Sequence, residues 1–182
     1  MISFCTSYLG RHDHLKVTIP HNLMVARGVD CEFVYVDFSE YSDVWEVSRA
    51  KNIAHDMASG EILVNVDADN FLSRDYIDGV LNLFNKDMDI IIHGEGEGVG
   101  GRIAISKFNY LRLGGYDERF RSWGFDDVDF IYRAMNLGLR RYTADNIRYI
   151  PHENTMINRD KNRPLMEYNR KNNVINWIND AY

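Results

Sequence analysis

"EILVNVDADN", Glu61 to Asn70, decides the fold. Residues Ile62 to Val66 form a short apolar run that turns acidic at Asp67 and Asp69. Such a run suits a strand covered on both faces, as in parallel sheets. The theme repeats on either side. "ISFCTSY" (2–8) and "CEFVYVDF" (31–38) read as strands before it, and "DIIIHG" (89–94) and "RIAISK" (102–107) after it. Helical patterns lie between them. "DHLKVTIPHNLMVARG" (13–28) ends near Gly28, and "SRDYIDGVLNLFNK" (73–86) has Ser73 as an N-cap. In "VWEVSRAKNIAHDMASG" (44–60), Val47, Ala50, Ile53, Ala54 and Met57 share one face. A short helix "FNYLRLGG" (108–115), a strand around "LRRYTA" (139–144), "IRYIPH" (147–152) and an Asn-rich helix from Pro164 complete the chain. Strands alternating with helices imply an α/β fold with a mostly parallel central sheet flanked by helices. One domain over 1–182 is the simplest division, since no repeat or linker breaks the sequence. In such sheets ligands bind beyond the carboxyl ends of the strands. That rule marks Thr6 to Arg11, Val66 to Asn70 and the stretch after His93.

The net charge is 21 − 27 = −6 with no basic run, which argues against nucleic acid or an anionic membrane surface as partner. The two cysteines, Cys5 and Cys31, fall in apolar strand-like runs and read as reduced thiols rather than a disulfide framework. No apolar run reaches membrane-spanning length, and Met1 leads almost directly into a strand, so a cytoplasmic protein without an integral membrane segment is expected.

Asp67 and Asp69 share a face of an extended segment, where two carboxylates repel and are costly to desolvate. A divalent cation with hard oxygen ligands, Mg²⁺ or Mn²⁺, resolves both problems and bridges to a diphosphate. Capping the next helix, or shaping a turn, is the alternative for either residue. Gly96, Gly98 and Gly101 satisfy G-x-G-x-x-G, but the strand-like "RIAIS" follows where a dinucleotide site needs a helix. The stretch is better read as a loop able to close over a substrate. "SWGFDDVDF" (122–130) then crowds Asp126, Asp127 and Asp129 beside Trp123. Phe125, Val128, Tyr132, Met135 and Leu139 recur at helical spacing, so the aspartates open a helix, whose dipole favours them by about 0.3–1 kcal/mol each. That leaves Trp123 and Gly124 unexplained. An aromatic wall beside carboxylates grips a sugar ring, and a carboxylate near an acceptor hydroxyl takes its proton.

"GGYDERFRSWGFDDVDFIYRAMNLG" (114–138) resembles the C-terminal motif of β-1,4-galactosyltransferases and related GT-A glycosyltransferases, including the polypeptide N-acetylgalactosaminyltransferases. Five further segments resemble that group in its order: "TSYLGRHDHL", "VSRAKNIA", "VDAD", "VGGRIAISK" and "YIPHENTMINRDKNRP". The resemblance implies a GT-A fold and a UDP-sugar-dependent hexosyltransferase acting on a hydroxyl of a glycan. Thr6, Ser7 and Arg11 would lie in its nucleotide loop, and Arg49 would meet the donor diphosphate. Asp69 and His152 would bind Mn²⁺ (or Mg²⁺), and Asp67 would contact the donor ribose or sugar. Gly101 would line the donor sugar, and Trp123 and Asp126 would hold donor and acceptor sugars. Asp127 would be the catalytic base, and because retaining relatives carry Asn there, inversion is implied. Tyr149 stands where the group has a Met metal ligand, which implies a weaker or water-completed metal site. A non-catalytic sugar- or nucleotide-binding module on the same fold is the alternative.

Overall fold

The structure, a computed structural model, describes residues 1–95, 100–120, 122–144, 148–151 and 159–172. The strands are β1 (Ile2–Tyr8), β2 (Cys31–Asp37), β3 (Ile62–Asn65), β4 (Asn70–Phe71), β5 (Ile90–Gly94), β6 (Ile103–Ser106), β7 (Arg140–Ala144) and β8 (Arg148–Tyr149). The helices are α1 (His12–Val25), α2 (Val47–Asp56), α3 (Arg74–Phe84), α4 (Lys107–Leu113), α5 (Asp126–Asn136) and α6 (Arg159–Asn172).

Six strands form one sheet in the order β2-β1-β3-β6-β5-β7. β1 runs parallel to β2 and β3, and β5 parallel to β7; β6 is antiparallel to both its neighbours. Alternate residues of each strand feed opposite layers, as the pleat requires. Phe4, Val64, Ile92 and Ala104 pack with Ile77, Val80 and Phe84 of α3. Cys5, Leu63, Ile91 and Ile105 pack on the other side with Ala54, Tyr110, Leu113 and Phe130. Ser73 caps α3 by accepting the Tyr76 N–H, as its position predicted. Both cysteines are unbridged thiols. Among the described residues, no helix is long and apolar enough to cross a membrane.

Two expectations are corrected, for Met57 and for the start of the last helix. Met57 is 60% exposed, because it stands at the C-cap of α2 rather than on its core face. The face α5 turns to the core is Asp129, Phe130, Arg133 and Ala134. Of the residues at helical spacing, Leu139 is buried in the core, while Phe125 and Tyr132 meet α6: Arg163 lies 5.1 Å over the Phe125 ring and Arg170 4.5 Å over Tyr132. The last helix begins at Arg159, ahead of Pro164, which removes one N–H from its ladder.

Candidate active site

The turn after β3 is held from three sides. Asn65 Nδ2 donates to Asp67 Oδ1 (3.1 Å) and to Gly101 O (2.8 Å), joining β3 to the entrance of β6. Asn70 accepts the Asp67 N–H at Oδ1 (3.2 Å), and its Nδ2 donates to Asp69 Oδ1 (2.6 Å). From α1, Thr18 Oγ1 donates to Ala68 O (2.9 Å) and Asn22 Nδ2 to Asn70 O (3.0 Å). The buried Arg102 donates through Nε to Asn70 Oδ1. Burial depresses its guanidinium, and the charges of Asp67 and Asp69 act against that loss. β4 pairs with β8, and Ile150 N–H donates to Asp69 O (2.8 Å). The backbone of Asp69 is thereby tied to the strand that leads towards residue 152. His152 itself lies outside the described residues, as do Gly96 and Gly98.

Asp67 and Asp69 put two hard oxygen donors on one turn, the chemistry that suits Mg²⁺ or Mn²⁺. Among the described residues, no three His, Cys, Asp or Glu side chains group closely enough to hold a metal by themselves.

The crowded aspartates are answered one by one. Lys51 of α2 donates to Asp126 Oδ2 at 2.5 Å, with 8% and 3% of the two side chains exposed. Its ammonium also lies 5.0 Å over the Tyr116 ring. Burial alone would depress Lys51, but Asp126, with help from Tyr116, Asp67 and Asp127, overrides it and holds the amine above its ordinary value. Asp129 pairs with Arg133 at 2.7 Å, each 1% exposed, and accepts from Asn169 Nδ2 at 2.7 Å. Arg133 spends its other donors on Leu113 O (3.1 Å) and Gly115 O (2.9 Å), so this pair fastens the "GG" turn to α5. Asp127 has no such cation. Among the described residues its carboxylate accepts only the Val128 N–H, at 2.8 Å. Burial and then the neighbouring Asp126 raise its carboxyl above the usual range, against the pull of Lys51.

Asp127 and Asp67 converge on one strip of backbone. A methyl group added at Gly100 would stand 3.4 Å from Asp127 Oδ2. One at Gly101 would stand 3.4 Å from Asp67 Oδ2 and 3.9 Å from Lys51 Nζ. The Gly100–Gly101 backbone thus lies against both carboxylates, a close approach that suits residues lacking a side chain.

Trp123 rides on a strained loop. Ser122 and Phe125 hold left-handed backbone angles (φ 63° and 66°), with Gly124 at φ 99° between Trp123 and Phe125. Non-glycine residues there cost about 1–3 kcal/mol each and persist only where their surroundings fix them. Two contacts do so. Val47 N–H at the start of α2 donates to Ser122 O (3.3 Å), and the buried Asn162 of α6 donates to Gly124 O (3.1 Å) and Trp123 O (3.4 Å).

The structure therefore brings Asp67, Gly101, Asp126 and Asp127 together. Thr6 is buried in β1, Ser7 lies at that strand's carboxyl end, and Arg11 sits at the N-cap of α1. Arg49 pairs with Glu46 at 2.9 Å, its guanidinium 5.9 Å over the Phe38 ring. Sequence reasoning missed Lys51, Asn65 and Arg102. Lys51 carried a signal, since it follows Val47 by four residues and so shares its buried face.

Residues 76–158 match the model of a family described as the N-terminal domain of galactosyltransferase. No curated protein matches the chain. Among solved structures, a mutant of Drosophila β-1,4-galactosyltransferase 7 in complex with manganese, UDP-Gal and xylobiose superposes with TM-score 0.66 at 15% identity, covering 83% of this chain and 71% of that one. A mannosyltransferase from Pyrobaculum calidifontis, in complex with GDP-Man and Mn²⁺, gives 0.65 at 15% identity over 80% of this chain and 55% of that one. TarS from S. aureus gives 0.64 at 12% identity over 81% and 59%. The chain thus spans little more than half the length of the latter two. It has the GT-A fold of these glycosyltransferases and resembles the β-1,4-galactosyltransferase group.

Proposed function

We propose that this chain is a metal-dependent, inverting glycosyltransferase that moves a hexose or N-acetylhexosamine from a UDP-sugar to a glycan hydroxyl. The observation that carries the reading is the sorting of the acid cluster: Lys51 pairs with Asp126, Arg133 pairs with Asp129, and Asp127, among the described residues, has no ion pair and lies beside Gly100. A carboxylate raised by burial and, among the described residues, without an ion pair at the entrance of β6 suits a general base.

In this reading Trp123 and Asp126 hold the sugars, although Lys51 already occupies one oxygen of Asp126. Asp127 takes the proton of the acceptor hydroxyl. The freed oxygen bonds to the anomeric carbon from the face opposite UDP, and the breaking bond's electron pair leaves with the diphosphate. Inversion follows from that single displacement. Asp69 with His152 would hold the divalent cation, Asp67 would meet the donor ribose or sugar, and Arg49 the diphosphate. When bound, the cation supplies neutralisation of the leaving diphosphate.

The manganese, UDP-Gal and xylobiose in the Drosophila complex support the donor and acceptor classes; the GDP-Man in the Pyrobaculum complex makes GDP-sugars the necessary comparison. The test is a donor screen by thermal shift with and without Mn²⁺, followed by UDP release against a panel of acceptors. Mn²⁺-dependent binding of a UDP-sugar, abolished by Asp69→Ala, is expected. Binding that ignores both Mn²⁺ and that substitution would sink the metal assignment. Binding without UDP release from any acceptor would favour a sugar-nucleotide-binding module.

A further inference from the structure

Lys51 is the one lysine the structure buries completely enough to need an explanation. It sits on the inner face of α2, between Ala50 and Asn52, with Ala54 one turn on. Its ammonium lies over the ring of Tyr116, which stacks on Phe130 with ring centroids 4.3 Å apart. Asn52 fixes that floor by donating to Tyr116 O (2.9 Å) and accepting the Tyr116 N–H (2.8 Å). The ammonium is therefore seated, not merely attracted. Burying a lone ammonium costs several kcal/mol, and a single ion pair recovers this only with good geometry. A hydrophobic side chain here would serve stability at least as well, so a buried lysine at this point calls for another use.

The charges around Asp127 suggest that use. Asp126 adjoins it on α5, Asp67 approaches from the turn after β3, and Lys51 acts on it from α2; among the described residues the Val128 N–H and the Gly100 backbone also lie against it. Lys51 faces all three carboxylates, whereas Arg102 acts on Asp67 and Asp69, so Lys51 is what favours the ionised form of the α5 pair.

Resting on the transferase reading above, we propose that Lys51 is a positioning residue: it locks Asp126 in a buried ion pair and supplies the counter-charge that lets the adjacent Asp127 ionise and face an incoming hydroxyl. Asp126 then acts mainly as the anchor for this cation. The arrangement separates two adjacent acids into one that is neutralised and one that is available. It depends on the 2.5 Å contact, because a lysine displaced towards Asp127 would quench the base instead.

The test is a titration of protein carrying ¹³C-labelled aspartate, followed by NMR, with Asp127→Asn identifying the Asp127 signal. Lys51→Met keeps the apolar stem and removes the charge. The Asp127 midpoint should rise by about one pH unit or more, the size of effect an opposite charge exerts at this range. Asp126→Asn should move the same midpoint down, because it removes a repelling charge and leaves Lys51 to Asp127. A lysine that only fills space would leave the midpoint of Lys51→Met where wild type has it. An unchanged midpoint in Lys51→Met, or an upward shift in Asp126→Asn, would overturn the proposal; if Lys51→Met does not fold, Lys51→Gln removes the same charge and decides by the same shift. The titration needs no turnover. An inactive wild type with both shifts present would therefore refute the transferase reading and not the electrostatic one.

Discussion

Two neighbouring Asp→Asn substitutions on α5 should have opposite effects on stability. Asp129 and Arg133 form an ion pair 2.7 Å long in which each side chain is 1% exposed. Burial raises the Asp129 carboxyl even though Arg133 opposes it, so the pair as a whole is not a large source of stability. The cost of Asp129→Asn lies elsewhere: it leaves the Arg133 guanidinium buried without a counter-charge. Breaking one side of such a pair costs about 3–5 kcal/mol. The lower end applies here, because an amide oxygen still accepts the Arg133 Nε–H and two carbonyls hold the other donors. At about 2–4 °C per kcal/mol for a chain of this size, Tm should fall by roughly 6–12 °C. Among the described residues, Asp127 has no ion-pair partner to strand. Its carboxyl is raised by burial and by Asp126, so the ionised form works against folding. That penalty is absent in acid, develops as pH rises through the carboxylate range, and is fully present once Asp127 ionises. Asp127→Asn removes it. Tm should be unchanged or higher near neutrality, with the gain over wild type shrinking as pH falls. Thermal unfolding followed by circular dichroism at two pH values measures both. Equal losses for the two variants would refute the division of the cluster into structural and functional acids.

Gly60→Ala should destabilise by about 1–3 kcal/mol or more in urea unfolding, because the added methyl would stand 2.4 Å from Ser3 Oγ and 2.9 Å from the Ser3 backbone N, where β1 cannot easily yield. Asn162→Ala removes the bonds to Trp123 O and Gly124 O, so the strained loop should relax. A changed near-ultraviolet tryptophan signal, with acceptor binding weakened more than donor binding, is expected; an unchanged signal would show that α6 does not hold the loop.

Most elements were legible in the sequence because apolar runs and caps are local signals. β1, β2, β3, β5 and β6 each fall inside an apolar run, and Ser73 caps α3 as read. The direction of β6 was not read, although the short link from Gly94 to Ile103 leaves no room for the dozen or more residues a parallel crossover needs. The pairing of Lys51 with Asp126, and of Arg133 with Asp129, was out of reach. Charged residues default to the surface, and what buries Lys51 is Asp126, far along the chain. The core face of α5 was hidden for the same reason: it carries Asp129 and Arg133, whose charges cancel only in three dimensions. The juxtaposition of Asp67 and Asp127 across Gly100–Gly101 likewise needed coordinates, whereas the residue types were visible from the motifs.

Turnover by Asp127→Asn is the most direct measurement. With Mn²⁺, the best UDP-sugar and a productive acceptor, this variant should bind donor as wild type does and release UDP at least 10²-fold more slowly, the effect of losing a general base. Wild-type rates in Asp127→Asn would contradict the account at its centre.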